Sequence, residues 1–487
     1  MSAESSRSNP PLQATLPISF LIIGGGIAGL ACALALRRVG HHVLVLERED
    51  RASARGGSGV RLPPNLSKIL FHWGLRDILT SKSSITKRLI FMRYETGEML
   101  GEHIWDVDML KETRGLFMML AHSELYDILY EAAIERGARV RYNANVVELD
   151  ALEATVVLET GEELSADVLV GADGEHGLCR PAVVGENAPG DLTGLALFDT
   201  VVPSREVPAY AERITEWHGQ FAAFGSGHAI VAYPIHGAED IAFQFYAPDG
   251  GQEGKYGDKP SVDVPSIVDG INPEYGNALP SPNSQCSLTY AVAKFARKAV
   301  RVSIRQHRDL DDWVHDDGRL VLIGEAAHPF PPSTIQGTAM AVEDGAVLAK
   351  LFSHISEPRQ IESFLYAFQE LRQERVKAVR QGELGSVLYM TADGEMAAAR
   401  DAGMRAKAAA GKNVLEGDGD AESIWEEYRV VFGYDCEDEA DDWWVQWGML
   451  RERAREREAE GAPPLLDFAA MMAKVEVSST HDGEEAY

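Results

Sequence analysis

Ile22-Ile23-Gly24-Gly25-Gly26-Ile27-Ala28-Gly29-Leu30 is the stretch that decides the reading of this chain. Residues 18–23 form an apolar run that predicts a buried strand. Beyond the glycines, Ala31, Leu34, Ala35 and Leu36 continue an apolar helix that Gly40 ends. His42-Val43-Leu44-Val45-Leu46 predicts a second strand, closing on Glu47, 23 positions after Gly24. Strand, G-x-G-x-x-G turn, helix, strand and terminal acid make a βαβ unit suited to a dinucleotide. Gly24 allows the tight turn, Gly26 lets a pyrophosphate approach the backbone, and Gly29 lets helix and strand pack closely. The helix N-terminus offers N–H donors to the phosphates, and Glu47 is placed to accept from an adenosine ribose. The alternative is a glycine-rich turn of some other α/β fold; the acid in register after the second strand argues against it.

Composition agrees with a large enzyme. A chain of 487 residues, 45% hydrophobic, can bury two joined domains and an extension. No apolar stretch is long enough for an integral membrane segment. Residues 1–16 are polar and read as a disordered N-terminus without the features of a signal peptide. Cys32, Cys179, Cys286 and Cys436 are scattered, with no ligand spacing, so no metal site is expected and a cytoplasmic protein with reduced thiols is. A net charge of −29 argues against nucleic acid and anionic membranes as partners. The charge is uneven: residues 412–487 hold 21 acids and 7 bases, which reads as a solvated extension. Trp443-Trp444-Val445-Gln446-Trp447 inside it is expected to pack on the body or to form a subunit contact, as in a homodimer.

Further along, Gly56-Gly57-Ser58-Gly59-Val60-Arg61-Leu62-Pro63-Pro64-Asn65 reads as a glycine-rich loop before a helix over 66–73. A hairpin is expected over 89–94 and 99–104, a helix over 123–136, and strands over 139–142, 146–149, 155–159 and 167–170, the last running into Gly171-Ala172-Asp173-Gly174. Residues 193–299 change character, with short strands at 195–202, 229–233 and 241–245 and a long loop over 248–282. This reads as a β-rich insertion of the size that roofs a substrate. Residues 320–323 return to a buried strand before Gly324-Glu325-Ala326-Ala327-His328-Pro329, with helices over 339–354 and 361–381.

These motifs, in this order, resemble the single-component FAD-dependent aromatic hydroxylases (group A flavoprotein monooxygenases), and among them the salicylate-hydroxylase-like enzymes of fungal secondary metabolism. The resemblance spans roughly residues 17 to 380. It implies an α/β fold: a Rossmann-like FAD-binding domain of the para-hydroxybenzoate-hydroxylase type (17–192 and 300–384), an inserted β-sheet substrate domain (193–299) and a helical, acidic C-terminal extension (385–487). Gly24, Gly26, Gly29 and Glu47 look like the ADP site. Gly59 and Val60 look like the loop flanking the isoalloxazine. Asp173 and Gly174 look like the internal Asp-Gly motif, and Glu325, Pro329, Gly337 and Thr338 like the second flavin loop. Six residues depart from the family pattern. Glu325 stands for Asp, Ile335 for Gly, His122 for a flavin-contacting Arg, Gly177 for Ser, and Phe198-Asp199 for Tyr-Arg.

The implied activity is reduction of FAD by NAD(P)H as co-substrate, addition of O2 to give a flavin C4a-hydroperoxide, and oxygenation of an aromatic, indolic or polyketide-type molecule. Tyr233 is the first candidate for a base or positioned hydroxyl; otherwise it is a roof tyrosine packed on Pro234. His228 and His218 are weaker candidates. His328 is expected to order the flavin loop, Asp199 to face the substrate or cap a strand, and Arg61 and Arg180 to meet phosphates or surface acids. An FAD-dependent oxidase or dehydrogenase working without NAD(P)H is the alternative enzyme class, and a flavin-binding protein without turnover is a third.

Overall fold

The computed structural model describes residues 12–185, 189–208, 211–212, 214, 219–249, 261–263, 298–417 and 421–459. His218, Cys286, most of the 248–282 loop and residues 1–11 of the expected N-terminal tail lie outside these. Gln13 to Leu16 are anchored, which corrects the expectation of disorder for that part of 1–16: Ala14 N–H donates to Val39, and Thr15 and Leu16 bond the Ile355 carbonyl.

The chain's first strand, Ser19–Ile23, lies at the centre of a five-stranded parallel sheet. The order is Leu320–Leu322, Val168–Gly171, Ser19–Ile23, His42–Leu46, Arg139–Arg141. Phe20, Leu21, Ile22 and Ile23 are all buried, because a parallel strand covered on both faces must be apolar on both. The helix Ile27–Arg38 packs against the helices His122–Glu135 and Gly337–Phe352. The second crossing is tight: a Cβ on Gly345 would stand 2.8 Å from Cys32 Cα.

An eight-stranded sheet forms the roof. Its order is Ser261–Asp263, Lys298–Gln306, Asp191–Pro203, Asp240–Pro248, Ala229–Ile235, Gly219–Phe224, Arg88–Arg93, Met99–Ile104. All neighbours are antiparallel except Gly219–Phe224 beside Arg88–Arg93. The sheet therefore reaches beyond the insertion at both ends. Lys298–Gln306 crosses the 299/300 boundary, and the hairpin over 88–104 comes from the front half of the chain. Alternation along each strand gives two faces. Ile90, Phe221, Ile230, Phe243 and Phe245 build one core. Leu89, Phe91, Ala222, Val231, Tyr233, Ala242 and Tyr246 build the other, with Met119, Ala121 and Val387 from outside the sheet.

Two readings are corrected. Gly59–Leu62 is a strand, not part of a glycine-rich loop, because its backbone pairs antiparallel with Met118–Ala121. The last long helix runs Ile361–Met390, past 381, because Val387 still finds apolar partners under the roof. The extension then folds back. Arg405 pairs with Glu98, Val414 N–H donates to Glu102, and Tyr428 meets His103. Arg375 caps the end of Ala421–Val431 by donating to the carbonyls of Val430 and Val431. The described residues up to Cys436 belong to one compact unit and those from Glu437 to a second. In the second unit Arg451 lies over the Trp443 ring, while Val445, Trp447 and Leu450 are exposed.

Candidate active site

At the nucleotide end the glycines have measurable reasons. A Cβ on Gly24 (φ +107°) would lie 2.2 Å from the Ala172 carbonyl oxygen, and one on Gly29 would lie 2.0 Å from the Gly24 oxygen. At Gly26 a Cβ would meet nothing within 4 Å, so that backbone borders open space of the kind a pyrophosphate requires. Glu47 is buried and braces the turn, accepting from Gly25 N–H (2.7 Å) and Glu49 N–H (2.8 Å). A carboxylate has about four acceptor sites, so room remains for ribose hydroxyls.

Asp173 follows the neighbouring strand, where Ala172 N–H bonds Ile23. Its Oδ2 accepts from Cys179 N–H (3.0 Å), while its buried Oδ1 has no partner. Burial raises its carboxyl above the usual range. An orphaned acceptor beside the Gly24 turn fits a hydroxyl-bearing cofactor. A Cβ at Gly177 would sit 2.1 Å from the Asp173 carboxyl carbon, which explains glycine in place of serine there. Gly174 (φ +81°) makes the turn between them.

The loop 324–336 is fixed from below. Arg180 is buried and donates from Nη1 to the carbonyls of Ala326 (2.9 Å) and Ala327 (3.3 Å), so part of its guanidinium holds the loop. His328 Nε2 bonds Asp344 Oδ2 (2.6 Å), which also accepts from Gly324 N–H (2.8 Å). Arg372, fully buried, joins Asp344 (2.9 Å) and Glu343 (2.7 Å). Burial pushes the Asp344 carboxyl up, but the His328 and Arg372 charges outweigh it and hold it below the ordinary range. Asn65 completes the support, donating to Glu343 (2.8 Å) and Gln336 (2.9 Å). Pro329 is buried in the loop and, with Pro331, borders a cleft of about 410 Å³ that Arg305, Arg308 and Arg380 also line. The Glu325 side chain is exposed to solvent, yet the surrounding protein and the Glu175 charge raise its carboxyl. Gly337 and Thr338 begin the helix Gly337–Phe352, whose first-turn N–H groups have no intrahelical acceptor.

Above the loop, the inner face of the roof carries a polar cluster in an apolar setting. Gln244 Nε2 donates to the Tyr233 hydroxyl (2.8 Å). Arg61 donates to Gln244 Oε1 (3.3 Å) and the Ser333 carbonyl (2.7 Å), and Ser333 Oγ donates to Asp199 Oδ2 (3.0 Å). Glu383 holds the N–H groups of Gln336 (3.0 Å) and Ile335 (3.4 Å) from below. Burial raises the Asp199 carboxyl to about 7. Burial also lifts the Tyr233 hydroxyl far above its ordinary value. The Tyr233 hydroxyl accepts from Gln244 and keeps its own proton at neutral pH, which favours the positioned-hydroxyl role over the base.

The fold brings Gly24, Gly26, Gly29, Glu47, Asp173 and Gly174 together at one end of the parallel sheet, and Arg61, Tyr233 and Asp199 together under the roof. What excludes a side chain at Gly59 is Tyr233 (2.7 Å) and Ala242 (2.6 Å), so this glycine serves the closeness of the roof; Val60 beside it is buried. His122 starts its helix and is held by the Arg55 carbonyl (2.8 Å), with burial lowering its pKa, so it does not supply the charge of the arginine it replaces. His228 lies near the surface, bonded to Ser226. Sequence reasoning missed Gln244, Glu383 and the Asn65–Glu343–Arg372 network. The signal was present: a lone polar residue on the buried face of an apolar strand, and adjacent acids inside an apolar helix.

The chain matches the family described as FAD binding domain over residues 18–269. It belongs to that family. It is 28% identical over 399 residues to the FAD-dependent monooxygenase OpS4 of Beauveria bassiana, covering 80% of this chain and 89% of the relative. It is 28% identical over 340 residues to 3-hydroxybenzoate 6-hydroxylase 1 of Aquipseudomonas alcaligenes, covering 68% and 79%. The crystal structure of FqzB shares the fold, with a TM-score of 0.70 at 19% identity over 90% of this chain and 95% of that one. The enzyme is an FAD-dependent monooxygenase, and FAD is the group that the orphaned Asp173 oxygen and the open space at Gly26 fit. Among the described residues no group of three or more potential ligands could hold a metal ion, and no helix is long and apolar enough to cross a membrane.

Proposed function

We propose that this enzyme uses NAD(P)H and O2 to hydroxylate or epoxidise an aromatic, indolic or polyketide-type small molecule, as in secondary-metabolite biosynthesis. The observation that carries this reading is the loop 324–336, tied below to Asp344 near the nucleotide end and above to a buried polar roof cluster. FAD, when bound, supplies hydride acceptance and oxygen activation. The protein's share is positioning and dryness. Arg180, His328 and Asn65 hold the loop, Glu383 fixes the helix entrance at Gln336, and the apolar inner face of the roof excludes water. Glu47, Asp173 and the Gly24–Gly29 turn would hold the adenosine and ribityl hydroxyls. The roof sheet (191–306 with 88–104) is the substrate domain in this reading, set on the FAD-binding body. Cys32 and Cys179 are free and buried thiols, which supports a cytoplasmic setting.

Anaerobic stopped-flow absorbance with NADPH, then NADH, with and without phenolic, indolic and polyketide compounds, tests the reading. Bleaching of the flavin by a nicotinamide, accelerated by a compound that then incorporates label from 18O2, is the expected result. Bleaching by a compound alone, with no nicotinamide response, would replace the reading with an oxidase.

A further inference from the structure

Asp199 stands in mid-strand on the inner face of the roof, between Leu197 and Val201 on the same face and opposite Gln244 on the neighbouring strand. An acid in that position is costly to bury unless both oxygens are used. Only one is. Oδ2 accepts from Ser333 and the Gln244 amide opposite also favours the carboxylate, while Oδ1, buried in a residue 6% exposed, has no hydrogen-bond partner. Two other atoms on this face share that state: the Tyr246 hydroxyl and Gln220 Oε1. The roof thus holds unclaimed hydrogen-bonding groups directly above the flavin loop, in a molecule that pairs the carboxylate oxygens of Glu343 and Asp344 below it.

The ionisable groups around Asp199 are Arg61 from the strand Gly59–Leu62 and Tyr233 and Tyr246 from the roof; Glu383 from Ile361–Met390 acts on Arg61 and Tyr246. Arg61 is the cation of this set, and it is already engaged by Ser333 and Gln244. A substrate carboxylate here would place a further negative charge beside two acids with no spare cation. A neutral hydroxyl suits the same groups. It donates to Oδ1 and accepts from the Tyr246 O–H, whereas an ammonium group has only donors.

We propose, resting on the monooxygenase reading above, that Asp199 is the catalytic acid/base of this enzyme and that it selects neutral phenol-type substrates over aromatic carboxylates. The substrate O–H bond breaks, its proton adds to Asp199 Oδ1, and the electron pair stays on oxygen, enriching the ring carbons for oxygen attack. When the oxygenated ring re-aromatises, its C–H proton goes to the other oxygen atom of O2, which leaves as water, and the phenolate oxygen takes its proton back from Asp199. A carboxyl brought by burial to about 7 is poised for both directions near neutral pH.

The test uses the FAD-loaded enzyme and matched ligand pairs that differ by one carboxylate: 3-methylphenol against 3-hydroxybenzoate, and 2-naphthol against 3-hydroxy-2-naphthoate. Binding is read by perturbation of the flavin spectrum, and ligand ionisation by the phenolate band in the difference spectrum from pH 5.5 to 9. The neutral member of at least one pair should bind at least tenfold tighter, with a phenolate band appearing around pH 7. Asp199→Asn should abolish that band below pH 8. Ser333→Gly removes the hydroxyl that stabilises the Asp199 charge, is compatible with the positive φ there, and should move the midpoint upward. Tighter binding of the carboxylates, no response to any neutral phenol, or an unchanged band in Asp199→Asn would overturn the proposal. Nicotinamide bleaching, followed separately, decides the monooxygenase reading, because ligand ionisation is read without turnover.

Discussion

The loop 324–336 lies between two buried polar clusters of opposite design. Below it, each carboxylate oxygen of Glu343 and Asp344 is claimed by Arg372, Asn65, His328 or Gly324 N–H, and among these side chains His328 Nδ1 alone is left without a partner. Above it, Asp199 Oδ1 and the Tyr246 hydroxyl are unclaimed and Asp199 is pushed towards neutrality. A closed network spends its hydrogen-bonding capacity on holding protein to protein. An open one keeps capacity for a ligand, at a cost in stability. The contrast assigns positioning to the lower cluster and chemistry to the upper one.

The comparison breaks most visibly at Arg372. Replacing it with alanine takes the main counter-charge from two buried acids, leaving Glu343 with Asn65 and the more distant Arg375 (3.6 Å) and Asp344 with His328, and should cost about 3–5 kcal/mol, with loss of bound flavin as the loop loosens. Thermal melting and the flavin-to-protein absorbance ratio measure both effects. The triple change Arg372→Met, Glu343→Gln, Asp344→Asn removes charge and counter-charge together and should recover most of the melting temperature. If the triple variant melts as low as the single one, the network's worth is packing and not charge balance.

At Asp199 the sign reverses. Its folded pKa, about 7, lies above the ordinary carboxyl value, so the neutral acid is the form the fold holds. Its contribution to stability is full below about pH 4 and is lost as pH rises through 7. Asp199→Asn does not titrate, so relative to the parent it should gain stability between pH 4 and 7, on the order of 2–4 kcal/mol, and level off above. Paired melts at pH 5 and pH 8 check this; equal differences at the two values would mean that Asp199 titrates outside that window.

Asn65→Ala tests the hinge between the clusters. It removes the donor to Glu343 and Gln336 but leaves Arg372 in place, so a smaller loss of about 1–3 kcal/mol is expected, read by melting, with a weakened hold on FAD.

Legibility from sequence followed the same divide. The nucleotide end was readable because its requirements fall on the backbone. Gly24 and Gly29 cannot be other residues where Ala172 and the Gly24 carbonyl lie within 2.2 Å, and such constraints occur at fixed spacing along one short segment. The roof strands over 195–202 and 241–245 were readable by alternation. The strand Gly219–Phe224 was not, since Ala222 and Ala223 give little contrast between faces. The polar cluster is harder still. Arg61, Asp199, Tyr233, Gln244, Ser333 and Glu383 span more than 300 residues and meet only because the insertion folds back over the loop. Asp199 was visible as an acid in an apolar strand, but its partner Ser333 and its orphaned oxygen are properties of the assembled fold.

Tyr233→Phe is the finest probe of the upper cluster. The ring is fully buried and packs against Gly59, so phenylalanine fills the same space and the fold should hold. What is lost is one hydroxyl that accepts from Gln244 Nε2. If Tyr233 were the base, removing it would cost roughly 10²–10⁴-fold in kcat and flatten the pH profile. As a hydroxyl held far from ionisation it orients Gln244, which in turn faces Asp199 and Arg61. Losing it should therefore cost about 0.5–1.5 kcal/mol in substrate positioning, a change of roughly 2- to 12-fold in kcat/KM, and leave the pH midpoint with Asp199. A profile that loses its midpoint in Tyr233→Phe but keeps it in Asp199→Asn would exchange the two roles and undo the contrast between closed and open clusters at its most informative residue.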